Sequence, residues 1–412
     1  MKNTLLIRKQ SPNYKWYILA LTGLTCAVIT GAGRMCMPVL FEQIGSDLGL
    51  SVVAIGTVWG MDPLAGIFIG IPGGLLADRF GIRRTLFVIC ILAGIFGALR
   101  GFSVNFFTLA LTMFLFGLNV AAMPSITPKV TTLWFSGKEL GLSNAILNIA
   151  WSIGAMIASQ FSATVFSPLL GGWQNVLFVL GAPAVLLGIL WFVTGREPDK
   201  EERADRQASE VPFREALFKV IHIKEVWIVG IMTLTSWGAG MGFIGYLPLY
   251  LRNLGWTPTA ADATITLTNG ISTLGVIPMV LLSNRLGQKK VLAMAIVAQA
   301  LSAGLVPFLT SQGIWALIII TGFIRSASSA LFSVIIFETK GVGTAYAGTA
   351  IGLASTISMV GAFLAPPIGN SLETIDPGAP LVFWGCLAAA GLPLILMLKS
   401  KSPKGERVIS GS

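Results

Sequence analysis

Two arginines stand inside apolar runs where a side chain of that type has to be explained. Arg325 follows Ile314 by 11 residues and precedes Glu338 by 13. At ~1.5 Å per residue that is about 16 and 20 Å from the helix ends, beyond comfortable snorkelling. Arg325 must face a water-filled cavity or a partner, so it is either a substrate ligand or half of a structural ion pair. Ser326 follows it, and Ser328 and Ser329 share its helical face at i+3 and i+4. Arg34 has seven apolar residues, Met35 to Phe41, between it and Glu42. Spacing alone lets it reach the interface or stay inside. Asp62 precedes Pro63 in the middle of the second run, 52–76. It can pair with Arg34, carry a proton, or cap the helix segment that the proline interrupts. Two guanidiniums on one cavity would bind carboxylate or phosphate oxygens through bidentate, charge-assisted bonds. Asn144, Asn148, Trp151 and Tyr246 are candidate neutral partners for such a ligand. Polar glue between helices explains the asparagines equally well.

The elements that hold these residues follow from composition. Only 11% of the 412 residues are charged, against roughly 25% in soluble domains, while 54% are hydrophobic. That excludes a cytosolic globular enzyme and a disordered chain. Twelve apolar runs are long enough to cross a bilayer as helices: 16–40, 52–76, 85–104, 106–128, 140–166, 173–194, 226–251, 259–283, 290–309, 314–337, 342–368 and 379–398. The eighth is diluted by Asp262, Thr264, Thr266, Thr268 and Asn269. A barrel would alternate in polarity, and these runs do not. The first run lacks a small-residue cleavage site and carries Arg34, so it reads as a retained helix.

Of 28 Lys and Arg, 24 fall in the terminal tails or in every second loop. The positive-inside rule then puts both termini in the cytoplasm of a multi-pass protein of the cell inner membrane. The net charge of +10 is topological. It is divided among short loops and makes no nucleic-acid patch. Arg100, Arg252 and Glu42 are expected at the outer interface. The chain also repeats itself at an offset of 206 residues: Leu48-Gly49-Leu50-Ser51 maps onto Leu254-Gly255-Trp256-Thr257, and Asp78-Arg79-Phe80-Gly81 onto Asn284-Arg285-Leu286-Gly287. By the same offset Asn119 corresponds to Arg325. The hydrophilic stretch 195–225 divides an N-terminal bundle, 1–194, from a C-terminal bundle, 226–412. Gly56, Gly60, Gly66, Gly70 and Gly74 place small residues along the second span for close packing, sliding or static.

Gly74-Leu-Leu-Ala-Asp78-Arg79-Phe-Gly81-Ile-Arg83-Arg84 resembles the signature loop of the major facilitator superfamily. The resemblance covers the whole chain and implies an all-α fold of twelve transmembrane helices in two pseudo-symmetric six-helix bundles. It implies that Gly74, Asp78, Arg79, Gly81, Arg83 and Arg84, with Arg285 and Lys289 of the second copy, form a cytoplasmic gate. Asp78 would face a helix N-terminus of the other half, although these basic residues can also serve only as topological anchors. Asn284 replaces the acid in the second copy, so the latch is expected to be asymmetric. The stretch from Arg34 through Pro38 to Ser51 is similar to the first span of the anion:cation symporter branch, in which this arginine binds a substrate carboxylate. The acids linked to proton coupling there are replaced by Gly33 and Asn119 here. The family's architecture implies that the first, fourth, seventh and tenth spans surround the cavity, where Arg34, Asn119 and Arg325 would converge.

Other chemistries lack their residues. Gly137-Lys138 is followed by Glu139 and no nucleotide-binding loop occurs. The only histidine, His222, lies in the linker, and the four cysteines are isolated within spans. No cofactor, metal or enzymatic reaction is expected. Met113 and Gly70 occupy places where drug:proton antiporters and nitrate porters, respectively, usually carry arginine. The expectation is a monomeric secondary or facilitative transporter of a small organic anion, with Arg34, Arg325, Asn119, Asn148, Trp151 and Tyr246 at the substrate. Protons or a counter-anion are the candidate co-substrates. The alternative is an exporter of an amphiphilic or cationic compound, in which the arginines pair with Asp62 and Glu338.

Overall fold

In a computed structural model of the chain, residues 13–196, 213–326, 328–339 and 341–398 are described, the side chains of 71–75, 78, 213, 329, 344 and 345 apart. Most of the expected linker and the terminal tails therefore lie outside the described residues. The apolar runs become helices because only intra-helical bonding satisfies every backbone group in hydrocarbon. In chain order, spans 1 to 6 are Tyr14–Leu48, Val52–Phe80, Ile82–Phe102, Phe106–Trp134, Gly137–Leu170 and Trp173–Thr194. Spans 7 to 12 are Lys224–Asn253, Pro258–Leu286, Gln288–Gly304, Ser311–Glu338, Gly343–Asn370 and Ala379–Met397. Eleven of these meet the length and apolarity needed to cross a membrane. Span 9 is the short one at 17 residues, continued by a 3-10 turn at Val306–Phe308. A short amphipathic helix, Phe213–Val220, precedes span 7 and donates from Lys219 Nζ to Tyr346 Oη at 3.3 Å.

The duplication is visible in the backbone. Ser51 and Thr257, 206 residues apart, cap spans 2 and 8 by accepting from Ala54 N at 3.2 Å and Ala260 N at 3.3 Å. Gly81 and Gly287 end the same two helices at φ +88° and +91°, a region that disfavours any side chain. Span 10 differs from the single helix expected. It forms two helices, Ser311–Arg325 and Ser328–Glu338, with Ser326 in a turn. Ser326 Oγ donates to Phe323 O at 2.7 Å and Ser328 Oγ to Arg325 O at 2.9 Å. The serines close carbonyls of their own chain, which is how hydroxyl side chains compete with the regular helical ladder.

Span 1 contains a π-helical stretch, Cys26–Ala32, that lies directly against span 5. An added Cβ on Gly154 would stand 2.0 Å from Ala27 O, and one on Gly31 would stand 2.5 Å from Trp151 O. Gly154→Ala is accordingly expected to lose about 1–3 kcal/mol of stability, the range for forcing extra carbon into a packed site. Gly141→Ala, with nothing within 4 Å, is the neutral control. Thermal unfolding of the two variants in detergent checks this.

Candidate functional site

Among the described residues, the following contacts join the two halves along one part of their length. We call the end bearing Arg83, Arg196 and Lys289 the basic end and the other the far end. From the far end inward, span 2 meets span 11 at Val52 O, which accepts from Asn370 Nδ2 at 2.7 Å. Contact continues at Gly56 with Pro366, Gly60 with Phe363 and Gly66 with Met359. The next glycine of the stripe, Gly70, would meet nothing within 4 Å, and Gly74 lies outside the described side chains. Spans 5 and 8 behave alike: Gln160 Nε2 donates to Thr259 O at 3.3 Å, and the hydroxyls of Ser159 and Thr266 are 2.9 Å apart. Spans 2 and 7 join where Trp59 Nε1 donates to Met241 O at 2.9 Å. Every one of these contacts lies between mid-depth and the far end.

Arg34 of span 1 faces Asp62 of span 2. Its Nη2 donates to Asp62 Oδ1 at 2.8 Å and its Nε faces Oδ2, giving a two-pronged ion pair. The Asp62 side chain is 0% exposed while that of Arg34 is 23% exposed. The carboxylate is thus sealed behind the guanidinium, whose free edge remains accessible. Span 2 runs through Pro63 unbroken, so Asp62 pairs and caps nothing. Span 4 holds it there: a Cβ on Gly117 would come within 2.8 Å of Asp62 Cα. Asn119, two residues on, is buried and donates Nδ2 to Leu115 O at 2.8 Å.

Arg325 occupies a crevice in the C-terminal half bounded by Ala239, Gly240, Phe243, Gln299 and Ser302. By the 206-residue offset Gly240 answers to Arg34, as Asn119 answers to Arg325. Of the two mid-span arginines, Arg34 and Arg325, one lies in each half, on span 1 and on span 10. Gln299 is committed to span 7, its Oε1 accepting from Ser236 Oγ at 2.6 Å. Asn148 is exposed and donates to Asn144 O at 2.9 Å, while Asn144 Oδ1 accepts from Thr131 Oγ1 at 3.0 Å. Trp151 is half-buried between the two core clusters of the first half. Tyr246 is a core side chain: it is 2% exposed, edge-on to Trp384, and donates Oη to Pro377 O at 2.9 Å.

The signature loop shows a pattern that sequence did not anticipate. Arg83 Nε donates to Phe192 O at 3.0 Å, at the C-terminus of span 6. Lys289 Nζ donates to Leu398 O, beside the end of span 12. Both donors and both acceptors are 206 residues apart. In each half, then, a basic residue of the loop closes helix-end carbonyls of its own bundle, where a cation is favoured. The Arg79 guanidinium lies 5.4 Å from the ring of its neighbour Phe80. The Asp78 side chain lies outside the described residues, so its expected latch has no geometry here.

Arg100 and the side chain of Arg252 are buried in protein, which a sequence reading of outer-interface positions did not include, and Glu42 is the exposed partner of Arg252. Arg100 is 1% exposed and enclosed by spans 1, 3 and 4. Depth along a helix was legible, but the side that faces protein was not. Arg252 has 5% of its side chain exposed and bridges the halves at the far end. Its Nη1 donates to Glu42 Oε2 at 2.7 Å and to Val39 O at 3.0 Å, both on span 1. Its Nη2 donates to Asp262 Oδ1 at 2.5 Å, on span 8. Asp262 is 0% exposed and Glu42 47% exposed. The available signal was an aspartate inside an apolar run, ten residues after an arginine across a short turn.

A family model described as the Major Facilitator Superfamily matches residues 23–366 and 231–409. A probable galactarate/D-glucarate transporter of Bacillus subtilis is 29% identical over 204 residues, 46% of this chain and 43% of that one. The match therefore spans less than half the length of that relative. The cis,cis-muconate transport protein of Acinetobacter baylyi is 24% identical over 371 residues, 87% of this chain and 88% of that one. Among solved structures, a bacterial homologue of the human lysosomal transporter Spinster superposes with a TM-score of 0.73 at 17% identity, covering 94% of this chain and 96% of that one.

Proposed function

This chain belongs to the major facilitator superfamily, a family of transport proteins and not enzymes, and from that premise we propose that it moves a small organic dianion across the membrane by alternating access. The single observation that carries the reading is the Arg34–Asp62 pair. A guanidinium in mid-membrane is costly, yet this one is only partly covered, with its free edge available and its carboxylate fully sealed. A substrate carboxylate can take that edge by competing with Asp62. The names of the relatives support the class, since galactarate, D-glucarate and cis,cis-muconate all carry two carboxylates. One arginine in each half suits a ligand with charge at both ends, so Arg34 and Arg325 hold the anion while Asn119, Asn148 and Trp151 orient it.

In this reading both termini lie in the cytoplasm, so the basic end faces in and the far end faces out. Asp62, released when substrate takes Arg34, is the group that would accept a coupling proton. Counter-anion exchange would instead leave it ionised. Export of a cation by this site would need Arg325 neutralised by Glu338. Glu338 instead accepts from Gln288 Nε2 at 2.9 Å, exposed at the end of span 10. A thermal-shift screen tests the choice: galactarate and cis,cis-muconate are expected to raise the melting temperature of the purified protein, and tetraphenylphosphonium is not. Stabilisation by the lipophilic cation alone would reverse the assignment. Counterflow of the stabilising anion in proteoliposomes then separates a carrier from a protein that only binds.

A further inference from the structure

We propose that Arg100 is a positioning residue for Arg34: a buried, permanent positive charge that holds the turn carrying Arg34 and leaves the Arg34, Asp62 and Arg100 group with a net charge of plus one. Its location does not resemble that of an anchor. Arg100 is 1% exposed, donates Nη1 to Gly33 O at 3.0 Å and Nε to Gly97 O at 3.1 Å, and lies 4.0 Å from the centre of the Phe116 ring. Met113 Sδ is 3.7 Å from Nη1. Each of these partners is neutral.

The segment it holds departs from regular helical bonding. The π-helical stretch Cys26–Ala32 ends at Gly33, whose amide reaches back five residues to Val28 O. Four residues after Arg34 comes Pro38, which has no N–H, so the Arg34 carbonyl has no regular helical partner. Regular hydrogen bonding thus fails on both sides of Arg34. The Gly33 carbonyl is tied from another span by Arg100 at 3.0 Å and from its own by the Cys36 thiol at 3.5 Å, and Phe116 packs tightly there: a Cβ on Gly33 would stand 3.1 Å from its ring. The same span 4 packs on Asp62 through Gly117. Arg100 therefore links the backbone under Arg34 to the helix that supports its counter-ion. With Arg34 and Asp62 cancelling, the Arg100 charge remains, and in a low-dielectric interior it favours an anion beside Arg34.

The inference rests on the anion reading, and the test separates their failures. Arg100→Lys keeps the charge, and Arg100→Met fills the space without it. In proteoliposomes with galactarate, Arg100→Met is expected to raise apparent KM about fivefold while maximal rate changes less than about twofold, with Arg100→Lys restoring most of the loss. Modification of Arg34 by phenylglyoxal, followed by peptide mass spectrometry, needs no substrate. It should rise at least about threefold in Arg100→Met, as the turn loosens, and stay near the parent in Arg100→Lys. If the parent protein moves no anion, the functional reading fails, but Arg34 reactivity still decides the role of Arg100. Unchanged Arg34 reactivity and unchanged KM in a folded Arg100→Met would overturn the proposal. Should that variant not fold, Arg100→Gln replaces it, with the same KM rise expected and the same unchanged result overturning.

Discussion

Arg34→Ala is expected to reduce anion uptake at least about 100-fold, the loss that follows when a buried, charge-assisted contact of about 3 kcal/mol or more is removed. The single substitution is ambiguous by itself. Asp62 is 0% exposed, and leaving a buried carboxylate without its partner typically costs about 3–5 kcal/mol of stability. Lost uptake could then report a damaged fold. The double variant Arg34→Gln with Asp62→Asn removes both charges and keeps groups able to hydrogen-bond to each other, so its melting temperature should return toward the parent value. Transport should not return, because an amide lacks the charge that neutralises a carboxylate. Arg34→Lys lies between, retaining the charge but losing the planar fork. Uptake assays of the three variants, each normalised to folded protein, decide the matter. Parent-like uptake in the folded double variant would remove Arg34 from the substrate site.

What the sequence made legible depended on how unusual each residue was in its setting. A charge in mid-run is rare enough to be noticed, so Arg34, Asp62 and Arg325 were found, and pairing was among the options for Asp62. A charge near a span end is ordinary, so Arg100, Arg252 and Glu42 were read as interfacial anchors. Distance from a helix end gives depth in the bilayer. It does not say whether lipid or another helix lies on that side, and for Arg100 the answer was three helices. The serines after Arg325 show a different limit. Their i+3 and i+4 spacing matched a shared helical face, but Ser326 and Ser328 bond carbonyls of their own chain where the helix is interrupted. The 206-residue repeat was legible from two short matches. It extends to helix caps, to positive-φ glycines, and to the pairing of Arg83 and Lys289 with helix-end carbonyls. That last pairing gives the signature loop a role inside each bundle that its resemblance to a gate did not suggest.

Arg252→Met is expected to open the far end. On the proposed alternating-access cycle the contacts there break while those at the basic end form, so the far-end contacts must be strong enough to close and weak enough to release. Arg252 makes both kinds. Its bonds to Glu42 and Val39 cross between the halves, whereas its bond to Asp262 stays within one half. Glu42 is 47% exposed, and an ion pair so hydrated contributes about 0–1 kcal/mol, a strand that each cycle can break. Asp262 is 0% exposed, so its tie to Arg252 survives opening and keeps the guanidinium aimed at span 1. The two carboxylates should therefore respond differently. Glu42→Gln should shift the balance of states modestly, by a factor of about five or less. Arg252→Met removes the clasp and strands Asp262, and should shift it tenfold or more. Thr266→Cys, in a background lacking the four native cysteines, reports the difference, because Thr266 is covered across the interface by Ser159 at 2.9 Å. Its labelling by a membrane-impermeant maleimide applied from outside should accelerate in proportion. Equal, parent-like rates in both variants would mean that the other contacts between the halves close the far end without Arg252.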